Sequence, residues 1–375
     1  MKKLRVGVIY GGRSGEHEVS LASGAAVIQN LDPERYEAVP IRINKDGRWV
    51  LPSAPPRLTS AAEVIAAKTN APALSVADER EAQLVPRPGE RGDQAAGAGE
   101  LVAGVGLDVV FPAIHGPYGE DGTVQGLLEL ANVPYVGCGV LASAMGMDKA
   151  TMKLAFAANG LPLCDYEVVM KHEWRRNEHL VLHRVGRLGF PVFVKPANLG
   201  SSVGISKARH AVELRAAIAL AAEFDRKIIV EAAVPQAREI ECSVLGNDDP
   251  EASVPGEIVP SREFYDYESK YIDDGSVPLI PAPISEAQAA EVRALSIAAF
   301  KAIDGAGMAR VDFLLARDTG VLYLNEVNTI PGFTTIGMFA KLWAASGLTF
   351  PQLVDRLIAL ALERHRDKQQ LRTSM

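Results

Sequence analysis

The segment MARVDFLLARDTGVLYLNEVN, residues 308–328, carries acidic and amide side chains at spacings that suit a metal ion. Its two apolar runs flank the turn sequence RDTG, which predicts two antiparallel strands joined by a hairpin. Side chains two positions apart share one face of a strand, so Asp312, Glu326 and Asn328 should converge. Such oxygen ligands suit Mg²⁺. The alternative is that one or both carboxylates pair with Arg310 or cap a turn. The sequence NEVN, which adds Glu326 and Asn328 on one face, favours the metal over this alternative.

A second group of residues suits phosphate. The stretch FPVFVKPANLGSSVGISKA places Lys195 at the end of an apolar run and follows it with small residues. Backbone amides in such a loop, beside a cation, form an anion site. The lysine precedes the glycines, so this is not the GxxxxGKS/T phosphate loop. With Lys149 in MDK as a second cation, and Glu231 in IIVEAA as a carboxylate for an adenine or ribose edge, the pattern predicts ATP with Mg²⁺ outside the P-loop class.

Two further groups near the hairpin suit stabilisation of negative charge. Arg310 lies two residues before Asp312 and should project on the same face of the strand. A guanidinium there can stabilise charge that develops on a carboxylate or phosphate. The turn NTIPGFTT supplies Gly332, whose backbone amide can complete an oxyanion site, although a PG pair taken alone is more often only a turn.

Composition and charge narrow the class of protein. The chain has 375 residues, of which 48% are hydrophobic and 23% charged, as in an ordinary globular protein of two or three domains. Its net charge of −7 argues against a large nucleic-acid footprint. The three cysteines form no CxxC pair, which disfavours a zinc site or a disulfide framework. No apolar run suits a membrane span or a signal peptide, so we expect a cytoplasmic protein with no membrane partner.

The elements that must position these residues alternate between strands and helices. The segment LRVGVIYGG predicts a buried strand followed by a helix near 18–30. The segment LDVVFPAIHG predicts a second buried strand. The segment TVQGLLELANVPYVG then predicts a helix and a short strand. This order predicts a parallel sheet covered by helices. A helix capped by Asp148 and ended by Gly160 comes next, followed by strands in DYEVVM, PVFVKP and KIIVEAA and a helix over 209–223. The last part holds EIECSVLG, a helix over 285–303, the hairpin and a helix over 351–365.

We therefore predict a mixed α/β (α+β) fold of three modules, over residues 1–145, 146–238 and 239–375. Residues 51–100 lack clean periodicity and should form an irregular insertion. The polar and aromatic segment EFYDYESKY lies in a predicted mobile loop, 261–276, which we interpret as a lid that excludes water. The alternative is a loop that packs permanently against its own protein.

Several motifs together resemble those of the D-alanine–D-alanine ligase family, ATP-grasp enzymes of peptidoglycan synthesis. In chain order they are YGGRSGEHEVSLASG, HGPYGEDGTVQGLLEL, MDK, VKPANLGSSVGI, EFYDYESKY, RVDFLL and NEVNTIPGFT. The resemblance runs from about residue 4 to residue 360, and only 51–100 has no counterpart. It implies an ATP-grasp fold with a parallel sheet in the N-terminal domain and ATP held between the central and C-terminal domains. It also implies a homodimer.

The resemblance further implies a reaction. ATP phosphorylates the carboxylate of one D-alanine, the amine of a second D-alanine attacks the acyl phosphate, and ADP and phosphate are released. Glu18 would hold the ammonium of the first D-alanine and form a network with Ser201 and Tyr271. His115 would lie beside that site, unless it is only a satisfied loop histidine.

The same resemblance implies the nucleotide, metal and oxyanion residues. Arg310 and the Gly332 amide would stabilise the tetrahedral oxyanion. Asp312, Glu326 and Asn328 would bind two Mg²⁺ ions, which Mn²⁺ can replace, with Glu326 shared between them. The residues implied to contact ATP are Lys149, Lys195, Ser202, Glu231, Glu239, Phe264 and Lys270.

Two positions bear on the second substrate. Gly337 stands where the family usually has a serine that contacts the carboxylate of the second substrate. A backbone amide, Thr334 or Thr335 would have to compensate for the missing hydroxyl. A serine at position 337 should therefore tighten binding of the second substrate. Tyr271 stands near the position where relatives that make D-alanine–D-lactate carry a histidine, and a neutral tyrosine does not repel an incoming amine. The alternatives are a D-alanine–D-lactate or D-alanine–D-serine ligase, a two-lobed binding protein and a carboxylate kinase.

Overall fold

The computed structural model describes residues 2–52, 56, 105–200, 203–259, 277–334 and 337–372. Most of the predicted insertion, and all of the predicted lid, lie outside these residues. The strands described are β1 (Leu4–Gly11), β2 (Tyr36–Ile43), β3 (Trp49–Val50), β4 (Val109–Pro112), β5 (Tyr166–Met170), β6 (Val192–Pro196), β7 (Ser206–Ala208), β8 (Lys227–Ala232), β9 (Ala237–Gly246), β10 (Glu251–Ala252), β11 (Gly256–Val259), β12 (Val277–Leu279), β13 (Gly307–Ala316) and β14 (Leu322–Asn328). The helices described are α1 (His17–Asn30), α2 (Thr123–Leu130), α3 (Val140–Met147), α4 (Lys149–Ala158), α5 (Lys171–Arg176), α6 (Glu178–Gly186), α7 (Ala211–Phe224), α8 (Glu286–Ala302), α9 (Met338–Ala345) and α10 (Phe350–Gln369).

The N-terminal sheet has the strand order β3-β2-β1-β4. Strand β1 pairs in parallel with both β2 and β4, as the alternation of strands and helices predicts. Helix α1 packs so closely on β1 that a Cβ added at Gly24 would lie 2.6 Å from the Tyr10 Cβ. The predicted short strand after α2 is only a single bridge, between Val110 and Tyr135.

The second sheet has the order β5-β8-β6-β7 and is antiparallel. Along β6 the side chains alternate, so that Val192 and Val194 are fully buried in the core beneath α7. Phe193 and Lys195 therefore lie on the opposite face, toward a cavity. The alternation of side chains along β6 thus determines that Lys195 lies on the face of the sheet toward the cavity.

The third sheet has the order β12-β11-β9-β13-β14, with β10 beside β9, and is antiparallel throughout. Val311 and Phe313 point into the core beside α8, so Arg310 and Asp312 occupy the other face of β13. The predicted hairpin is confirmed. It contains a β-bulge after Asp312, which pairs with Glu326, whereas Phe313 pairs with Leu324.

Helix starts follow capping chemistry that the sequence contains. The Asp148 side chain accepts a hydrogen bond from the Thr151 amide and so begins α4, while Gly160 has a φ of +68° just past its end. Ser285 and Gln288 form a capping box at α8. No helix in the described part of the chain combines the length and apolarity that a membrane span requires.

Candidate functional site

The second and third sheets enclose a cavity of about 510 Å³, within the usual size range of small-molecule sites. Its walls are β6 and β8 on one side, β9, β13 and β14 on the other, and the segment 233–236, which joins β8 to β9. Apolar side chains and backbone groups form one part of the cavity. The charged side chains that line the remainder include Lys149, Lys195, Glu231, Glu239, Glu241, Asp312 and Glu326.

Glu231 lies at the base of the cavity between two lysines. Its carboxylate is 4% exposed, 2.5 Å from the Lys195 Nζ and 2.8 Å from the Lys153 Nζ. Burial alone would raise the pKa of Glu231, but the two ammonium groups outweigh it and lower the pKa to about 2. Burial would likewise lower the pKa of Lys195, and Glu231 more than offsets it, so the pKa of this lysine is raised. Both groups are therefore charged at neutral pH.

The two lysines predicted to contact phosphate lie in the same cavity as the acidic hairpin. The Lys195 Nζ is 3.5 Å from the Asn325 Oδ1 on β14, and the Lys149 Nζ is 3.5 Å from the Glu326 Oε2. Lys149 also donates to the Leu199 carbonyl in the loop after β6. Ammonium groups from two separate chain segments thus face the oxygen-rich end of the cavity.

Arg310 is held by two carboxylates. It donates to both Asp312 oxygens at 2.7 Å, and its Nε lies 3.2 Å from the Glu241 Oε2. Burial alone would lower the pKa of Arg310, but these carboxylates outweigh it and raise the pKa well above the usual value. The pairing of Asp312 with Arg310, left open as an alternative from the sequence, is the arrangement observed. Glu241 remains as a partner of Arg310 if Asp312 binds another group.

The proposed metal ligands fit Mg²⁺ by their chemistry. Asp312 and Glu326 face each other in register on adjacent strands, and the Asn328 side chain accepts from the Ile330 amide at 3.2 Å. Among the described residues no three His, Cys, Asp or Glu side chains come close enough to hold a metal alone. Two carboxylates and an amide oxygen therefore require further ligands, and Mg²⁺ commonly takes these from water and substrate phosphates.

Three residues of the site were not predicted from the sequence. Lys153 lies one helical turn after Lys149 on α4, and that spacing is a signal that could have identified it. Glu241 follows two positions after Glu239 on β9, which likewise implies a shared face. Asn325 contributes because of the β-bulge, for which the sequence carries no clear signal.

The residues implied to hold the amino acid lie around α1. Glu18 is 7% exposed, and its Oε1 is 2.6 Å from the Lys45 Nζ, so this carboxylate already accepts an ammonium group. His115 is buried, with Nδ1 3.1 Å from the Ile330 carbonyl and 3.5 Å from Glu120. Burial would lower the pKa of His115, but Glu120 outweighs it, and the pKa is raised.

The loop after β14 carries both predicted glycines. An added Cβ at Gly332 would meet nothing within 4 Å, and no described residue accepts from its amide. The Gly337 amide donates to the Thr334 carbonyl, and an added Cβ would lie 2.6 Å from the Gly332 carbonyl oxygen. Gly337 thus begins α9 where a side chain has no room. Thr335 lies outside the described residues, as do the predicted site residues Ser201, Ser202, Phe264, Lys270 and Tyr271.

Two antiparallel sheets that enclose a cavity lined by lysines and carboxylates are typical of the ATP-grasp class. Family models described as D-ala D-ala ligase N-terminus and C-terminus match residues 5–138 and 155–359. The chain therefore belongs to the D-alanine–D-alanine ligase family.

Individual relatives match over nearly the whole chain. The D-alanine--D-alanine ligase of Geobacillus kaustophilus is 49% identical over 98% of this chain and 97% of its own, and that of Thermoanaerobacter sp. is 50% identical over 98% and 99%. The solved D-alanine-D-alanine ligase of Coxiella burnetii is similar at a TM-score of 0.78 and 34% identity, over 99% of this chain and 97% of that one. The VanG D-Ala:D-Ser ligase of Enterococcus faecalis is similar at a TM-score of 0.77 and 32% identity, over 96% and 100%.

Proposed function

We propose that this protein joins two D-alanine molecules into D-alanyl-D-alanine for peptidoglycan synthesis, with conversion of ATP to ADP and phosphate. Membership of the D-alanine–D-alanine ligase family supports this reaction, and relatives of that name cover 98% of the chain. The observation that carries it is the cavity in which Lys149 and Lys195 face the carboxylates of β13 and β14.

The phosphoryl transfer step rests on charge neutralisation. In our proposal Lys149 and Lys195 contact the phosphate oxygens of ATP, and Glu231 and Glu239 contact its adenine and ribose. Asp312, Glu326 and Asn328 would hold two Mg²⁺ ions, with Glu326 shared. Such ions, when bound, offset repulsion among phosphate oxygens and align the transfer. In this proposal Lys195 exchanges Glu231 for a phosphate oxygen, and Lys153, 2.8 Å from Glu231, remains as its counter-ion.

The ligation step rests on positioning and on oxyanion stabilisation. Glu18 would hold the ammonium of the first D-alanine, next to His115. The acyl phosphate then accepts the amine of the second D-alanine, and negative charge develops on the former carboxyl oxygen. Arg310 and the Gly332 amide are proposed to stabilise that charge, and the amide suits this role because no described residue accepts a hydrogen bond from it. The roles of Ser201 and Tyr271 stay predictions.

The choice of second substrate, the cellular location and the oligomeric state are proposals too. We infer that the second substrate is D-alanine, because the relatives that match at 49–50% identity are named for that reaction. ATP use and the three buried free cysteines favour the cytoplasm. A homodimer is testable by light scattering of the purified protein.

The decisive experiment measures phosphate release by the purified protein with ATP and Mg²⁺, and identifies the product by mass. D-alanine alone should release phosphate and yield D-alanyl-D-alanine in equal amounts. D-serine or D-lactate is then offered beside D-alanine to test the second site. Phosphate release without a dipeptide would indicate a carboxylate kinase, and no release at all would indicate a binding protein.

A further inference from the structure

Ser23 on α1 is a fully buried polar residue that the mechanism above does not use. Its hydroxyl oxygen accepts from the Phe333 amide at 3.2 Å and lies 2.8 Å from the Nε2 of His115. Ser23 and Phe333 are 310 positions apart in the chain, so this contact joins the N-terminal helix to the loop after β14. A buried serine with two long-range partners is more than a space-filling residue.

These contacts hold both sides of the peptide group that carries the Gly332 amide. His115 Nδ1 donates to the Ile330 carbonyl at 3.1 Å, which orients the peptide before Pro331. The Phe333 amide, bound to Ser23, orients the peptide after Gly332. Proline restricts its own φ to about −65°. Few torsions are therefore left that could turn the Gly332 N–H away from its present direction.

The surroundings keep this arrangement rigid. The Phe333 ring is fully buried, with its centroid 5.2 Å from that of Phe111 and 5.5 Å from that of Phe339. The His115 amide also donates to the Ser20 hydroxyl of α1, at 3.0 Å. The carboxylates near His115 raise its pKa against the effect of burial, which favours the form that donates from both ring nitrogens.

Ser23 thus links α1 to the peptide that follows Gly332. We propose that Ser23 is a positioning residue for ligation: by fixing that peptide it holds the Gly332 N–H in the direction in which it can donate to the oxyanion. This inference rests on the proposed role of Gly332.

The consequence concerns the fate of the acyl phosphate. Formation of the tetrahedral intermediate needs an oxyanion donor in place, and small displacements of such donors slow reactions strongly. If the donor is loose, attack by the amine on the carbonyl carbon slows. Hydrolysis by attack of water at phosphorus, which breaks the P–O bond and releases D-alanine and phosphate, places no new charge on the carbonyl oxygen and therefore continues. Loss of Ser23 should therefore lower the yield of dipeptide per ATP consumed.

The test compares Ser23→Ala with Ser296→Ala. Ser296 is equally buried on α8, but its hydroxyl donates to the Val292 carbonyl of the same helix. Ser23→Ala should lower kcat about 10- to 100-fold, leave the KM for ATP within about twofold, and release more phosphate than dipeptide. Ser296→Ala should match the wild type in all three. A Ser23→Cys variant, with a weaker acceptor, should fall between Ser23→Ala and the wild type and serves if the alanine variant does not fold.

Two results would overturn the positioning role. One is a Ser23→Ala enzyme that matches Ser296→Ala in kcat and in the ratio of phosphate to dipeptide. The other is a Ser23→Cys enzyme that behaves as the wild type in both. A wild-type protein that forms no dipeptide would instead contradict the proposed function, so the two failures are distinguishable.

Discussion

Lys153 gives the buried carboxylate of Glu231 a counter-ion besides Lys195. Glu231 contacts both Lys153 and Lys195, and of these two we propose Lys195 as the residue that contacts the nucleotide. If Lys195 moves to a phosphate, Glu231 would be an unpaired buried charge without Lys153, which costs several kcal/mol. Two lysines around one carboxylate thus allow one of them to exchange partners.

This arrangement predicts how a Lys153→Met variant responds to acid. The lowered pKa of Glu231 means that its charge contributes stability above the unfolded value of 4.5 and loses that contribution as pH falls toward about 2. Without Lys153, burial is less compensated, so the pKa of Glu231 in the folded state rises and stability is lost at higher pH. We expect the acid-unfolding midpoint, followed by circular dichroism, to rise by roughly half a pH unit or more. Lys301→Met, at an exposed position of α8, is the control and should not shift it.

Glu326 is the carboxylate on which we expect metal binding to depend most. Glu326→Gln keeps the size of the side chain but removes the charge shared between two ions, so turnover should fall at least about 100-fold while the melting temperature changes little. Calorimetric titration with Mg²⁺ and ATP should show weaker binding of the metal–nucleotide complex. The exposed Glu251→Gln is the control. Turnover within twofold of wild type would remove Glu326 from the metal site.

Among the elements, the loop from β14 to α9 joins the hairpin to Gly332, whose amide we propose as an oxyanion donor. Asn328 ends β14 and also orients the Ile330 amide, and Gly337 begins α9 against the Gly332 carbonyl. The loop is therefore tied at both ends to residues that we place in the site. A substitution at either end of the loop should therefore shift the position of the Gly332 amide.

Substitution of Gly337 tests that dependence. The sequence alone predicts that Gly337→Ser tightens the second D-alanine site, but an added Cβ would lie 2.6 Å from the Gly332 carbonyl oxygen. That contact is backbone and cannot rotate away, so the loop must shift. We expect both Gly337→Ala and Gly337→Ser to lower kcat/KM for D-alanine about tenfold, because both carry the Cβ.

Gly186→Ala is the matched control for these variants, since its added Cβ would meet nothing within 4 Å. Steady-state kinetics with varied D-alanine provide the comparison. A serine variant with tighter D-alanine binding and unchanged kcat would mean that the loop yields and that the hydroxyl contact is gained.

For the whole molecule, the site exists only where two sheets meet. Lys195 comes from one sheet and Asp312 and Glu326 from the other, with the cavity of about 510 Å³ between them. A ligand that contacts both sheets adds its binding free energy to their association. Nucleotide binding should therefore stabilise the fold as well as supply the substrate.

ATP with Mg²⁺ at about 100 times its Kd should stabilise the protein by about 2.7 kcal/mol, which appears as a higher thermal unfolding midpoint. Lys195→Met should lose most of this shift, because one phosphate contact disappears while Lys153 still neutralises Glu231. Differential scanning calorimetry with and without ATP measures both proteins. An equal shift in the lysine variant, or one that AMP reproduces, would contradict the placement of the triphosphate at Lys195.

Local features of this chain were predictable because short-range physics determines them. The alternation of side chains along β6 and β13 placed Lys195 and Asp312 opposite the core, and Asp148 began α4 as expected from its side chain. The hairpin around RDTG and the parallel N-terminal sheet follow from the same patterns. The family itself was recognisable from motifs in chain order.

Only the tertiary structure decided which distant groups meet. The contact of Ser23 with Phe333, the pairing of Lys153 with Glu231 and the turn of Asn325 toward Lys195 each depend on how separate elements pack. A periodic pattern identifies the face of a strand or helix, but not what lies across from it, since that depends on a β-bulge, on loop closure and on the fit of side chains in the core. The local chemistry of the site was thus written in the sequence, and its partners and distances arose from packing.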